Sequence, residues 1–185
     1  MIFYEDMPRV VIFSGTDQCG KTEMAHELSD RSHAVYFKSS LEKENFIADR
    51  SEYFVGCLRY LEPFFIDFIV RTGTKVILDR SWPEEFVYSQ LFDRRTDWDQ
   101  LTKVDRLYAS AGTRIVIPYR SSYVGRCDED AQGKIDDKKM EETDKLYRRF
   151  FEWSRCKCLL LNVDDEDLDR EMRDICSFLG VTEHG

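Results

Sequence analysis

VVIFSGTDQCGKTEMAHEL, residues 10–28, passes from four apolar residues through a glycine-bounded loop into an amphipathic stretch. Val10, Val11, Ile12 and Phe13 form the short continuous apolar run of a strand buried on both faces, and Thr22 to Leu28 reads as the start of a helix. Between them, Gly15 to Thr22 has the spacing G-x-x-x-x-G-K-T, the P-loop pattern, with both of its required flanks in place. Glycines at 15 and 20 let backbone N–H groups converge on an anion, and the helix N-terminus adds roughly half a positive charge at the same point. Gly15, Thr16, Asp17, Gln18, Cys19, Gly20, Lys21 and Thr22 are therefore expected to cradle the phosphates of ATP. Lys21, read as an exposed loop lysine, reaches the β- and γ-phosphates. The Thr22 hydroxyl ligates magnesium, a hard cation that prefers oxygen.

The 185 residues suit one domain, 1–185, and 42% hydrophobic with 14% aromatic residues is enough apolar side chain for a buried core. The opening MIFYEDMPRV has no basic region and no long apolar run, and the longest later apolar segment is interrupted by Glu62 and Asp67. Neither a targeting leader nor a membrane span is expected. Six cysteines are present, and Cys156-x-Cys158 has no second pair at metal-binding spacing. Reduced thiols in a cytoplasmic protein fit this usage. A net charge of −9 argues against a broad electrostatic grip on nucleic acid, although a cleft can confine positive charge on an otherwise acidic surface. A small-molecule nucleotide is thus favoured over DNA as the partner.

Further apolar runs follow at HAVYFK (33–38), VILDRS (76–81), RIVIPY (114–119) and CLLLNV (158–163). Helical patterns separate them over Phe46–Thr72, Glu84–Phe92, Trp98–Ala111, Asp136–Ser154 and Glu166–Leu179. In the third of these, Trp98, Leu101, Val104, Leu107 and Tyr108 share one face, with Asp97 as N-cap and Gly112 as terminator. Five apolar strands alternating with helices predict an α/β fold with a parallel sheet covered on both faces, and ligands bind beyond the C-terminal ends of such strands.

The run VIL ends in Asp79-Arg80-Ser81, which brings a carboxylate and a guanidinium to the edge where the glycine loop sits. Asp79 is expected to support magnesium with Thr22, and Arg80 to neutralise charge on the transferred phosphoryl group. Beyond IVIPY, Arg120, Arg126 and Lys134 form a second concentration of cations around Gly125 and Gly133, the ends of the segment GRCDEDAQG. It reads either as a hinged flap that closes over phosphates or as a solvated charged loop, since Asp128, Glu129 and Asp130 would repel a triphosphate. Arg126, next to the hinge glycine, is the candidate within it. The catalytic candidates are then Lys21, Asp79, Arg80 and Arg126. The aromatic-rich FVGCLRYLEPFFIDFI (54–69) serves the core, a homodimer face or an acceptor pocket.

With these residues the chain resembles the P-loop nucleoside and nucleotide kinases, specifically the thymidylate kinase and deoxynucleoside kinase group. GTDQCGKT is similar to the thymidylate kinase loop, whose acidic residue at the position of Asp17 is implicated in contacting the substrate sugar. DRSWPEEFVY resembles both the thymidylate kinase DRY segment, with Val87-Tyr88 in place of an alanine-tyrosine pair, and the [DE]-R-S segment of deoxynucleoside kinases. The resemblance implies a five-stranded parallel sheet in 2-3-1-4-5 order with an Arg-bearing lid. It implies phosphoryl transfer from ATP to a pyrimidine deoxynucleotide, the alternatives being a deoxynucleoside or, as in bacteriophage enzymes similar to thymidylate kinases, 5-hydroxymethyluracil in DNA. The chain departs from the group where the acceptor binds: FKSSLEKENF follows the second strand in place of an Arg-Glu-Pro-Gly or Glu-Pro segment, and Ser14 stands where many thymidylate kinases carry glutamate. A hydroxyl acceptor would need a base, for which Glu42 and Asp17 are the candidates. A GTPase switch would carry an N-K-x-D motif, and NVDD after the last strand lacks its lysine.

Overall fold

The computed structural model describes residues 2–38, 51–125 and 136–182. Five strands, β1 (Val10–Phe13), β2 (Val35–Lys38), β3 (Val76–Asp79), β4 (Arg114–Tyr119) and β5 (Lys157–Asn162), form one parallel sheet in the order β2-β3-β1-β4-β5. This is the order that the family resemblance implies. The most apolar run takes the middle: all four residues of β1 are fully buried, between β3 on one side and β4 on the other.

Because successive strand residues point to opposite faces, β1 feeds two cores. Val11 and Phe13 face α1 (Lys21–Ser32) and α7 (Leu168–Leu179), packing with Met24, Leu28, Met172 and Ile175. Val10 and Ile12 face α3 (Glu62–Thr72), α4 (Pro83–Leu91), α5 (Trp98–Ser110) and α6 (Asp137–Trp153), packing with Ile69, Val87, Val104, Tyr108 and Phe150. Trp82, Phe86, Phe150 and Trp153 interlock beneath them, with ring centroids 4.9 to 6.4 Å apart. Helix starts follow local chemistry. Asp97, Asp136 and Asp167 each accept a hydrogen bond from the backbone N–H three residues on, and Pro83 opens α4.

The predicted helix over 46–72 is helical throughout its described residues, but it is interrupted in register by a π turn. Its described part is α2 (Ser51–Gly56), a π-helical turn at Cys57–Leu61, and then α3. The extra residue of a π turn rotates the faces of α3 relative to α2. The aromatic stretch is consequently divided: Leu58, Ile66 and Ile69 are buried, Phe65 meets Phe37 at 5.6 Å between ring centroids, and Tyr60, Phe64 and Phe68 are exposed. Two strand ends also shift. His33 takes a left-handed conformation that ends α1, so β2 begins at Val35, and β3 ends at Asp79 because Arg80 is left-handed (φ 71°).

Candidate active site

The loop between β1 and α1 is shaped by its neighbours. A Cβ on Gly15 would lie 2.8 Å from the Pro118 carbonyl oxygen of β4, so only glycine fits there. Gln18 and Gly20 both adopt positive φ, 64° and 67°, turning successive peptide units inward ahead of α1. Lys21 is not the exposed loop residue expected from the sequence: it is 6% exposed. Its Nζ folds back to donate to the Thr16 carbonyl at 2.6 Å and lies 3.9 Å from Asp17. Burial, with the nearby charge of Arg80 acting in the same direction, lowers its pKa to about 8, against the pull of Asp17.

Thr22 and Asp79, paired by sequence as metal ligands, meet directly: Thr22 Oγ1 donates to Asp79 Oδ2 at 2.6 Å. The same oxygen accepts from Tyr36 Oη at 3.0 Å and has Lys38 Nζ at 3.6 Å. Tyr36 and Lys38 reach it because β2 pairs in register with β3, Lys38 opposite Asp79. Asp79 is 1% exposed, and its other oxygen, Oδ1, is buried without a hydrogen-bond partner among the described residues. A buried carboxylate oxygen with no donor, next to a hydroxyl, is a donor set suited to a hard cation that completes its shell with water and phosphate.

Arg80 points back to the loop. Its guanidinium pairs with Asp17 Oδ1 through a short contact and donates to Tyr88 Oη at 3.3 Å. Asp17, which the family resemblance associates with the substrate sugar, thus forms one connected group with Arg80 and Tyr88. Burial and the charge of Asp17 raise the Tyr88 phenol to about 12. Beneath them lies Glu84, which accepts from Ser14 Oγ, the Ser81 N–H and Tyr147 Oη. Burial raises its pKa, opposed chiefly by Arg80. A small cavity of about 90 Å³ opens beside this group between Phe37, Leu61, Glu62, Phe65, Leu78 and Arg80.

Glu62 at its wall accepts a hydrogen bond from Tyr108, and burial raises its pKa to about 7 from an ordinary 4.5. A carboxyl that holds its proton more tightly when folded favours the folded state below about pH 4.5, and that advantage is lost as pH rises to about 7. Between pH 5 and pH 8 the chain should therefore lose more thermal stability than its Glu62→Gln variant. Parallel melting curves for the two proteins at both pH values would contradict this.

On the other side of the loop the sequence reading of Arg120 is corrected. It does not belong to a phosphate-covering flap: it is buried, with Nε donating to the Gln18 carbonyl at 2.9 Å, Nη1 to the Val163 carbonyl at 2.8 Å, and Nη2 paired with Glu166 at 3.0 Å. With its donors taken up by two carbonyls and a carboxylate, its charge serves to brace two loops. Tyr123 fastens the same corner by accepting from the Arg120 N–H and donating to Asp144, each at 3.1 Å. Cys19 is buried against Tyr123, and burial raises its thiol pKa. A cleft of about 320 Å³ lies between Gln18, Gly20, Glu23, Arg120, Val163 and Leu168. Arg126, Lys134 and Glu42, and with them the flap, lie outside the described residues.

Tyr36, Lys38 and Glu84 were not singled out from the sequence. The signal for the first two was available only through strand register, since a residue closing one parallel strand lies beside the residue closing the next. Glu84 reads as an ordinary acidic residue in the first turn of a helix.

No protein-family model matches the sequence, and no curated protein matches it. Solved structures do. The YorR protein from Bacillus subtilis, in complex with phosphorylated GDP, is 19% identical with a TM-score of 0.68 over 92% of this chain and 95% of that one. Deoxyadenosine kinase from M. mycoides with bound dCTP is 16% identical with a TM-score of 0.58, over 92% of this chain and 98% of that one. Thymidylate kinase from Ehrlichia chaffeensis is 16% identical with a TM-score of 0.57, over 94% and 99%. The sheet order, the loop and the near-complete mutual coverage together show that this chain has the fold of the P-loop nucleotide kinases.

Proposed function

We propose that the chain transfers the γ-phosphoryl group of ATP to a pyrimidine deoxynucleotide. The observation that carries this reading is the convergence of Lys21, the Thr22–Asp79 pair and the Asp17–Arg80 pair at the C-terminal ends of β1 and β3, where parallel sheets bind ligands. That two of the similar structures are a deoxyadenosine kinase and a thymidylate kinase supports it. Phosphoryl transfer asks mainly for positioning and charge neutralisation. Lys21 leaves the Thr16 carbonyl for the β- and γ-phosphates, and Arg80 covers the oxygens of the transferred group. Thr22 and Asp79 would hold magnesium, which when bound neutralises charge on the phosphates. The cleft beside Arg120 receives the donor base, and Asp17 and Tyr88 face the acceptor sugar.

A mononucleotide is preferred over a nucleoside because Lys38 and Arg80, at the ends of two neighbouring strands, can turn from their carboxylate partners to an acceptor phosphate. Lys38, half exposed at the end of β2, pairs with Asp79, the residue before Arg80, while Asp17 is engaged by Arg80 and Glu84 is enclosed. An anionic acceptor is attracted there and needs no base. ADP release should accordingly depend on added deoxynucleoside monophosphates in a screen that also offers nucleosides, ribonucleotides and hydroxymethylated DNA. Phosphate incorporated into duplex DNA, with binding that weakens by about 0.9 log units per neutralised phosphate for each log unit of salt, would move the function to DNA modification. Slow hydrolysis indifferent to every acceptor would replace the kinase with a switch.

A further inference from the structure

Arg80 carries its guanidinium on a backbone that L residues seldom adopt, with φ of 71°. Such a conformation persists only where its surroundings over-determine it. One restraint is the Arg80 N–H, which donates to the Phe13 carbonyl at 2.9 Å. A second acts one residue later, where the Ser81 N–H donates to Glu84 Oε2 at 2.8 Å. Glu84 is 2% exposed and is itself fixed from two other elements: Ser14 Oγ at the end of β1 lies 3.0 and 3.1 Å from its two oxygens, and Tyr147 Oη of α6 lies 3.3 Å from Oε1. One carboxylate therefore spans the residue before the glycine loop, the residue after Arg80, and α6.

We infer that Glu84 is a positioning residue: by holding the Ser81 N–H it keeps the Asp79-Arg80-Ser81 turn in the left-handed form that aims Arg80 at Asp17 and Tyr88. Without it, the turn is free to relax towards extended backbone, which carries the guanidinium away from the loop while leaving Lys21, Thr22 and Gly20 in place. Donor binding then survives and the transfer step suffers. Glutamine retains an acceptor for the Ser81 N–H, and the hydroxyls of Ser14 and Tyr147 can turn to accept from its amide.

The kinetic part of the test rests on the proposed kinase activity; the structural part does not. Crystal structures of the chain and of its Glu84→Ala variant should show Arg80 at positive φ in the first and at negative φ in the second. In the same variant kcat should fall on the order of 10²-fold with the KM for ATP within about threefold, whereas Glu84→Gln should stay within about tenfold of the parent in kcat. Introduced into Arg80→Ala, the Glu84→Ala change should cost no more than about twofold in addition, because the group it positions is gone. If the alanine variant does not fold, Glu84→Met, which fills similar volume without an acceptor, takes its place in every comparison. Arg80 remaining at positive φ in a folded variant, or full additivity in the double variant, overturns the inference. A parent that phosphorylates no acceptor overturns the kinase reading and leaves the φ comparison to judge Glu84.

Discussion

Lys21→Ala should leave a folded chain whose turnover is lowered on the order of 10²-fold or more. The fold is expected to tolerate the change even though Lys21 is buried. Its ammonium is held in a poorly solvated place, which is why its pKa falls to about 8, so deleting it removes a desolvation cost along with a hydrogen bond. What it leaves behind keeps other partners: Asp17 retains Arg80, and the Thr16 carbonyl loses one donor in a loop shaped independently by Gly15 against Pro118. Chemistry is different, because nothing else in the described loop can place a full positive charge on the β- and γ-oxygens from the same side. Acceptor-dependent ADP release and a melting curve, measured on one purified variant, check both halves. Turnover within about threefold of the parent would remove the loop lysine from the mechanism.

Asp79→Asn should cost roughly 10- to 100-fold, expressed first as a higher magnesium requirement. One oxygen of Asp79 already serves Thr22, Tyr36 and Lys38, and the other is buried with no partner among the described residues. Asparagine keeps a single acceptor and replaces the second oxygen or its neighbour by a donor, so either the Thr22–Tyr36 anchorage or the presented oxygen is lost. Added magnesium should recover part of the rate. Manganese binding in the presence of ATP, followed by its paramagnetic signal, should weaken in step. Identical metal midpoints in variant and parent would show that Asp79 does not act through the metal.

Much of this site could be read in the linear sequence because its signals are local. Gly15 to Thr22 is a contiguous pattern, and the strand before it is a contiguous apolar run, so loop, strand and helix were all legible. Asp79 and Arg80 were legible because a strand's end is visible as the end of an apolar run. Lys21 and Arg120 misled for a shared reason. A cation in a loop reads as solvent-facing or phosphate-facing, yet backbone carbonyls are strong acceptors, and here Thr16, Gln18 and Val163 supply them. Tyr36, Lys38 and Glu84 could not be found from local pattern at all, since each acts across a strand pair or between layers. The π turn at Cys57–Leu61 was hidden similarly: a helix with one additional residue keeps its composition and changes only which aromatics face inward.

The central place of β1 also bears on how the chain comes to its native state. Val10 pairs with Val76 and Val11 with Arg114, so the first and most apolar strand finds neither neighbour until much of the polypeptide has been made. Closing such long loops costs entropy before any contact repays it, which makes the sheet's assembly slow relative to that of its helices. In that interval VVIF is an unpaired β-forming segment without a charge of its own, flanked by Arg9 on one side and by Ser14 and Gly15 on the other. The strand that seats the glycine loop is thus also the chain's exposed flank during synthesis, and refolding from denaturant is a competition between late pairing with β3 and β4 and early pairing with another molecule.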